Sequence, residues 1–202
     1  FFVFNEKAEE ADVTATLSGF SIGDYTSSEA WAYSNSTNVT NVTENGFTLR
    51  ADDDGWNNGD QGINKILSTQ EVSGDVTIEF TLAFSAGMTD GKFIIELGGQ
   101  RIMINNINGG TITANIIGYD RDKEEIAGTQ YAEFKVRIVR SGETISLYIN
   151  DSAEPVRTGT GTINNSSLAF FLFNSTAEDI DVTATVSGFT ITSGTASAGT
   201  NE

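Results

Sequence analysis

The residues best equipped for chemistry stand together in one acidic loop, Asp52-Asp53-Asp54-Gly55-Trp56-Asn57-Asn58-Gly59-Asp60. Ca²⁺ takes about six to eight oxygen ligands, and a flexible run of carboxylates and amides supplies most of them. Adjacent carboxylates also repel one another unless a cation neutralises them. Asp52, Asp54, Asn57 and Asp60 are therefore the expected Ca²⁺ ligands. The loop departs from the EF-hand pattern, because Trp56 stands where the fifth-position oxygen would be and no Glu follows at the twelfth. Its plainer alternative is a solvated acidic turn. A second acidic group, Asp120, Asp122, Glu124 and Glu125, is interrupted by Arg121 and Lys123 and suits a self-compensated surface loop. The chain has no cysteine and no histidine, which removes disulfides, zinc-type sites and His-based triads.

The frame behind these loops is bounded by composition. With 202 residues the chain can build one sizeable core, and its 21 glycines, single proline and 13 phenylalanines suit many strands joined by turns. A net charge of −17 disfavours nucleic-acid and anionic-membrane partners and favours divalent cations. No apolar run approaches the ~20 residues that cross a bilayer, so no membrane insertion is expected, and no signal peptide is recognisable. Beginning abruptly on Phe1-Phe2-Val3-Phe4, the chain reads as processed or excerpted. Sequons occur at Asn35, Asn38, Asn41, Asn150, Asn164, Asn165 and Asn174. They mark either a glycosylated, secreted surface or the chance yield of a Thr-, Ser- and Asn-rich chain.

Period two dominates the pattern. The clearest strand is Asp75–Phe84, where Val76, Ile78, Phe80, Leu82 and Phe84 alternate with Thr77, Glu79 and Thr81. Residues 23–45 are polar and read as a long loop or weak edge strand, with Trp31 and Tyr33 as large anchors. Gly46–Arg50 and Ile63–Ser68 are short strands. Met88–Gly91 is a turn, and Lys92–Leu97 with Arg101–Asn105 forms a hairpin about Gly98-Gly99. Thr111–Tyr119 is followed by the charged loop Asp120–Glu125. Glu133–Arg140 and Thr144–Asn150 pair through Ser141-Gly142-Glu143, Leu168–Asn174 suits a strand buried on both faces, and Ile180–Ile191 closes the set. No helix is expected, and turn signals at roughly 8–12-residue spacing indicate an all-β sandwich or jelly roll.

Some of these segments carry a family resemblance. The run AEFKVRIVRSGETISLYIND, then LAFFLFN, then VSGFTI resembles the C-terminal half of concanavalin A-like (laminin G-like) jelly rolls, and SGDVTIEFTLAF resembles their central strand. The resemblance implies an antiparallel jelly-roll β-sandwich over roughly residues 46–191, and fold alone does not fix function. Glucanases of that superfamily carry catalytic carboxylates as Glu-x-Asp-x-Glu on one strand face, and retaining hydrolysis needs two carboxyls about 5–5.5 Å apart. No such spacing exists here, and Glu79 and Glu96 each stand alone among apolar neighbours, so no enzyme activity is expected. A carbohydrate-binding alternative uses Trp56, Trp31 and Tyr119 as sugar platforms, with Trp56 also able to serve as a core plug beneath its loop.

One stretch is written twice. Residues 1–22 align with residues 170–191 at an offset of 170 − 1 = 169, with 15 of 22 positions identical. A fixed internal period marks a repeat array. Residues 1–22 are thus expected to be the last strands of a preceding repeat or donor strands to a neighbour, residues 23–192 the jelly roll and residues 193–202 a linker. Phe1, Phe2, Phe4, Val13, Leu17 and Phe20 would make the connection. The resulting expectation is a structural repeat of an extracellular, cell-surface array, adhesin or filament. Its partners are neighbouring copies of itself, and Ca²⁺ rigidifies it. A calcium-assisted, glycan-binding lectin module is the alternative.

Overall fold

Alternation along Val76–Phe84 produces a strand with five buried side chains on one face and an exposed Glu79 on the other. The same period recurs throughout the chain. The computed structural model describes residues 26–27, 30–33, 38–51, 65–70, 72–85, 90–107, 111–116, 124–125, 133–162, 168–174 and 182–194, and among them there is no helix. The strands are β1 (Thr26–Ser27), β2 (Trp31–Tyr33), β3 (Val39–Thr43), β4 (Gly46–Ala51), β5 (Lys65–Ser68), β6 (Val76–Phe84), β7 (Asp90–Leu97) and β8 (Gln100–Ile107). They continue as β9 (Thr111–Ile116), β10 (Glu124–Glu125), β11 (Glu133–Ser141), β12 (Thr144–Ile149), β13 (Arg157–Thr160), β14 (Leu168–Asn174) and β15 (Val182–Ser193).

Two antiparallel sheets face each other in a jelly-roll sandwich of the concanavalin A-like kind. One has eight strands in the order β1-β2-β5-β14-β7-β8-β9-β10, the other seven in the order β13-β12-β11-β6-β15-β4-β3. The chain crosses between layers from β2 to β3, β4 to β5, β5 to β6, β6 to β7, β10 to β11, β13 to β14 and β14 to β15. The β7–β8 hairpin closes on Gly98 and Gly99, at φ 57° and 85°. A two-residue turn matching strand twist needs positive φ at both positions, which glycine adopts without strain. Among its described residues the stretch 23–45 holds three short strands, β1, β2 and β3, and the charged stretch Asp120–Glu125 ends in β10 beside β9.

The core lies between the sheets and centres on Phe170 of β14. Its ring lies 5.9 Å from Trp31, 5.2 Å from Phe47, 5.9 Å from Phe80, 5.8 Å from Phe93 and 5.9 Å from Phe189, centroid to centroid. Trp31 is fully buried, and its indole Nε1–H donates to the carbonyl of Thr43 at 2.9 Å, joining β2 of one sheet to β3 of the other. Buried indole N–H groups need such an acceptor. β15 runs to Ser193, and Gly194 N–H donates to the Asp75 carbonyl at 2.8 Å.

Candidate functional site

An antiparallel sheet that faces water on one side normally carries polar residues there. The seven-stranded sheet obeys this rule. Its outer face presents Thr40, Thr48 and Thr185 in register, with Thr77, Thr81, Glu79, Lys135 and Arg137 nearby. Charges on this face compensate one another. Lys135 Nζ lies 2.7 Å from the Asp151 carboxylate with both side chains exposed, and that hydrogen bond and charge raise the Lys135 pKa above its ordinary value. The Arg137 guanidinium lies 3.7 Å from the centroid of the Tyr148 ring. A shallow cleft of about 170 Å³ runs between Glu79, Lys135, Arg137, Tyr148 and Asp151.

The eight-stranded sheet breaks the rule. Because Leu168, Phe170 and Leu172 of β14 enter the core, Ala169, Phe171 and Phe173 point outward. Strand register then lays three rows across the outer face. One is Phe173–Lys92–Asn105–Thr113, the next Lys65–Phe171–Ile94–Met103–Asn115, and the third Leu67–Ala169–Glu96–Arg101. Ile94, Ala169 and Phe171 form a buried apolar cluster, with Leu67, Met103 and Phe173 packed around them. Phe171 and Phe173 stack with centroids 6.4 Å apart, and Lys65 Nζ sits 4.7 Å above the Phe171 ring. Arg101 Nε donates to Glu96 Oε2 at 3.3 Å across β7 and β8. Asn105 is 1% exposed, and its Nδ2 donates to Thr113 Oγ1 at 3.4 Å while its Oδ1 has no hydrogen-bond partner.

This face brings an aromatic centre, the cations Lys65, Lys92 and Arg101, and the carboxylate of Glu96 onto one surface. Among the described side chains of the face Glu96 is the only carboxylate, so the set suits holding a carboxylated, partly apolar chain better than double displacement between paired acids. The sequence pattern contained a signal for this surface. An unbroken apolar run at Leu168–Phe173 left β14 without an outward polar half, beside outward Ile94 and Met103.

The residues expected to act fall elsewhere. Trp31, expected as a sugar platform, is corrected: it is fully buried beneath β3 and offers no ring face to a ligand. Asn38, expected as a glycosylation acceptor, is corrected as well, since at 5% exposure its amide is closed to a modifying enzyme. Asn41 and Asn150 are exposed, both with positive φ. Asp52, Asp54, Asn57, Asp60, Trp56, Tyr119, Asn35, Asn164, Asn165, the side chain of Asn174, and Phe1, Phe2, Phe4, Val13, Leu17 and Phe20 lie outside the described residues.

No protein-family model matches the chain, and no curated protein matches it. Solved structures share its fold at low identity. A protein of unknown function from Saccharomyces cerevisiae is 14% identical with a TM-score of 0.58, over 85% of this chain and 97% of that one. A Bacillus licheniformis β-glucanase is 12% identical with a TM-score of 0.55, over 85% and 89%. An alginate lyase of polysaccharide lyase family 7 is 15% identical with a TM-score of 0.54, over 83% and 84%. The expectation of a chain without enzyme activity is overturned by these neighbours, which are mostly enzymes, alginate lyases above all. The missing Glu-x-Asp-x-Glu spacing excludes one carboxylate arrangement for one reaction, and lyases are built on the same sandwich.

Proposed function

We propose that this protein acts on or binds a polysaccharide through the outer face of its eight-stranded sheet, and that the preferred chain is acidic. The observation that carries this reading is the partly exposed ring of Phe173, set beside Lys92 and near Lys65 and Arg101 over the buried apolar cluster of Ile94, Ala169 and Phe171, in a protein of net charge −17. Aromatic rings receive the C–H faces of sugars, and a guanidinium pairs with a carboxylate in two-pronged fashion. The remaining negative charge of the protein is screened within about 8–10 Å at physiological salt, so the local cations govern contact. Fold neighbours that include alginate lyases and a β-glucanase support the reading.

The experiment is binding of alginate and mixed-linkage β-glucan oligosaccharides by calorimetry, with unsaturated and reducing ends followed in parallel. Binding of the acidic chain, weakened about tenfold or more by Arg101→Ala and by Phe173→Ala, is expected. Failure of every glycan to bind, or binding untouched by both substitutions, refutes the proposal.

The duplicated 22-residue stretch favours a second, compatible reading, in which this domain is one repeat of a larger extracellular array displaying such faces in series. Exposed sequons at Asn41 and Asn150 fit that setting, as would Ca²⁺ binding by the acidic sequence Asp52–Asp60. Sequencing of the full gene tests it, because the array requires further copies at the 169-residue period.

A further inference from the structure

The segment from Phe170 to Ile191 fills a slot with demanding geometry. Its first strand, β14, lies between β5 and β7, and its second, β15, between β4 and β6. Phe170, Val182 and Ala184 are fully buried, with Ala184 held between its register partners Leu49 and Phe84. Thr185 Oγ1 and Thr48 Oγ1 hydrogen-bond at 3.1 Å. At the bulge between Ser187 and Thr190, Gly188 has φ 61°, a left-handed conformation that side chains with a Cβ disfavour. Phe189 then folds its ring 4.7 Å from Trp31.

Residues 1–22 meet each of these demands in order. Phe1 matches Phe170, Val13 matches Val182, Ala15 matches Ala184, Thr16 matches Thr185, Gly19 matches Gly188 and Phe20 matches Phe189. The crossing between the two strands also has the same length, residues 6–12 against residues 175–181. A sequence that satisfies both sheets, the bulge and the crossing at once is built for that slot. We infer that residues 1–22 are a second occupant of the β14–β15 slot, able to replace Phe170–Ile191 within the same chain.

The reach is sufficient. In the slot, Ile22 would stand where Ile191 stands, and Ile191 and Ala30 line the same cavity of about 560 Å³. The eight residues from Ile22 to Ala30 extend at most about 28 Å. In the structure Phe170–Ile191 pairs on both sides in each sheet, so the C-terminal copy is the resident occupant. When the N-terminal copy enters, the released strand pair carries the same specificity into solution, addressed to the slot of another copy.

The test is a set of substitutions read by urea unfolding. Ala184→Arg cannot be accommodated by a fully buried position, so with one occupant it abolishes the cooperative transition. With two, Ala184→Arg keeps a cooperative transition, Ala15→Arg alone is silent, and the Ala15→Arg/Ala184→Arg double variant loses the transition. The exchanged state is trapped by adding Thr16→Cys and Thr48→Cys to the Ala184→Arg chain, which has no native cysteine. An intrachain disulfide, identified by peptide mapping and monomeric migration without reductant, is expected because Thr16 takes the register position of Thr185 opposite Thr48. An unfolded Ala184→Arg chain, a folded one without the intrachain bond, or disulfide-linked dimers in its place overturns the inference.

Discussion

Replacing Phe170 by Ala removes the ring on which the two sheets converge. The side chain is fully buried, and five aromatic rings lie within 6 Å of its centroid, from Trp31 and Phe47 to Phe80, Phe93 and Phe189. Large-to-small substitutions of this kind cost about 3–5 kcal/mol, and each edge-on aromatic pair adds roughly 0.5–1.5 kcal/mol beyond buried area. The ring sits between two sheets fixed by their own ladders, so the site cannot collapse, and the upper end of the range applies. Against a total stability of about 5–15 kcal/mol, a loss of about 4–5 kcal/mol leaves the domain marginal at best. At a urea slope of about 2.5 kcal/mol per M, the midpoint falls by roughly 1.5–2 M. The measurement is equilibrium urea unfolding by tryptophan fluorescence, in the native chain and in a Phe1→Ala background. A loss below about 1 kcal/mol in the Phe1→Ala/Phe170→Ala chain refutes the packing argument, because no equivalent ring then remains to take the place.

Two further outcomes are expected. Gly188→Ala places a Cβ at φ 61° and costs about 1–2 kcal/mol in urea unfolding, while Gly19→Ala leaves stability unchanged in a chain whose resident strand pair is Phe170–Ile191. If Asp52, Asp54, Asn57 and Asp60 hold Ca²⁺, the ion at a hundred times its Kd adds about 2.7 kcal/mol and raises Tm by roughly 5–10 °C over EDTA; an unchanged Tm removes the calcium reading.

Sequence pattern specified the fold where burial is one-sided or complete. Val76–Phe84 alternates because β6 is central and amphipathic, and Leu168–Phe173 is continuously apolar because β14 is buried on both faces. The pattern is silent where strands are short or peripheral. Arg157–Thr160 forms β13 with no apolar residue, held by its ladder to β12, and Glu124–Glu125 forms β10 by pairing with β9. Trp31 sits in a polar stretch, which suggests a loop aromatic, yet three residues of β2 suffice to carry it into the core and its N–H to Thr43. The outer face of the eight-stranded sheet was legible only in part. Single segments show each strand's apolar run, whereas the rows joining Lys65, Phe171, Ile94 and Met103 exist only once register is known.

The borders of the two sheets bear on how such domains behave when crowded. The eight-stranded sheet ends on β1 and β10, each two residues long. The seven-stranded sheet ends on the four-residue β13 and on β3, whose ladder slips between Thr40 and Thr43 with Asn41 at φ 52°. Long, straight borders are the templates on which β proteins stack into fibrils, and among the described residues these borders are short or kinked. Molecules held at high local density therefore have little backbone to zip together at random. Any association between them must be selected by side chains, so the borders act as a filter that admits specific contacts and rejects amyloid-like ones.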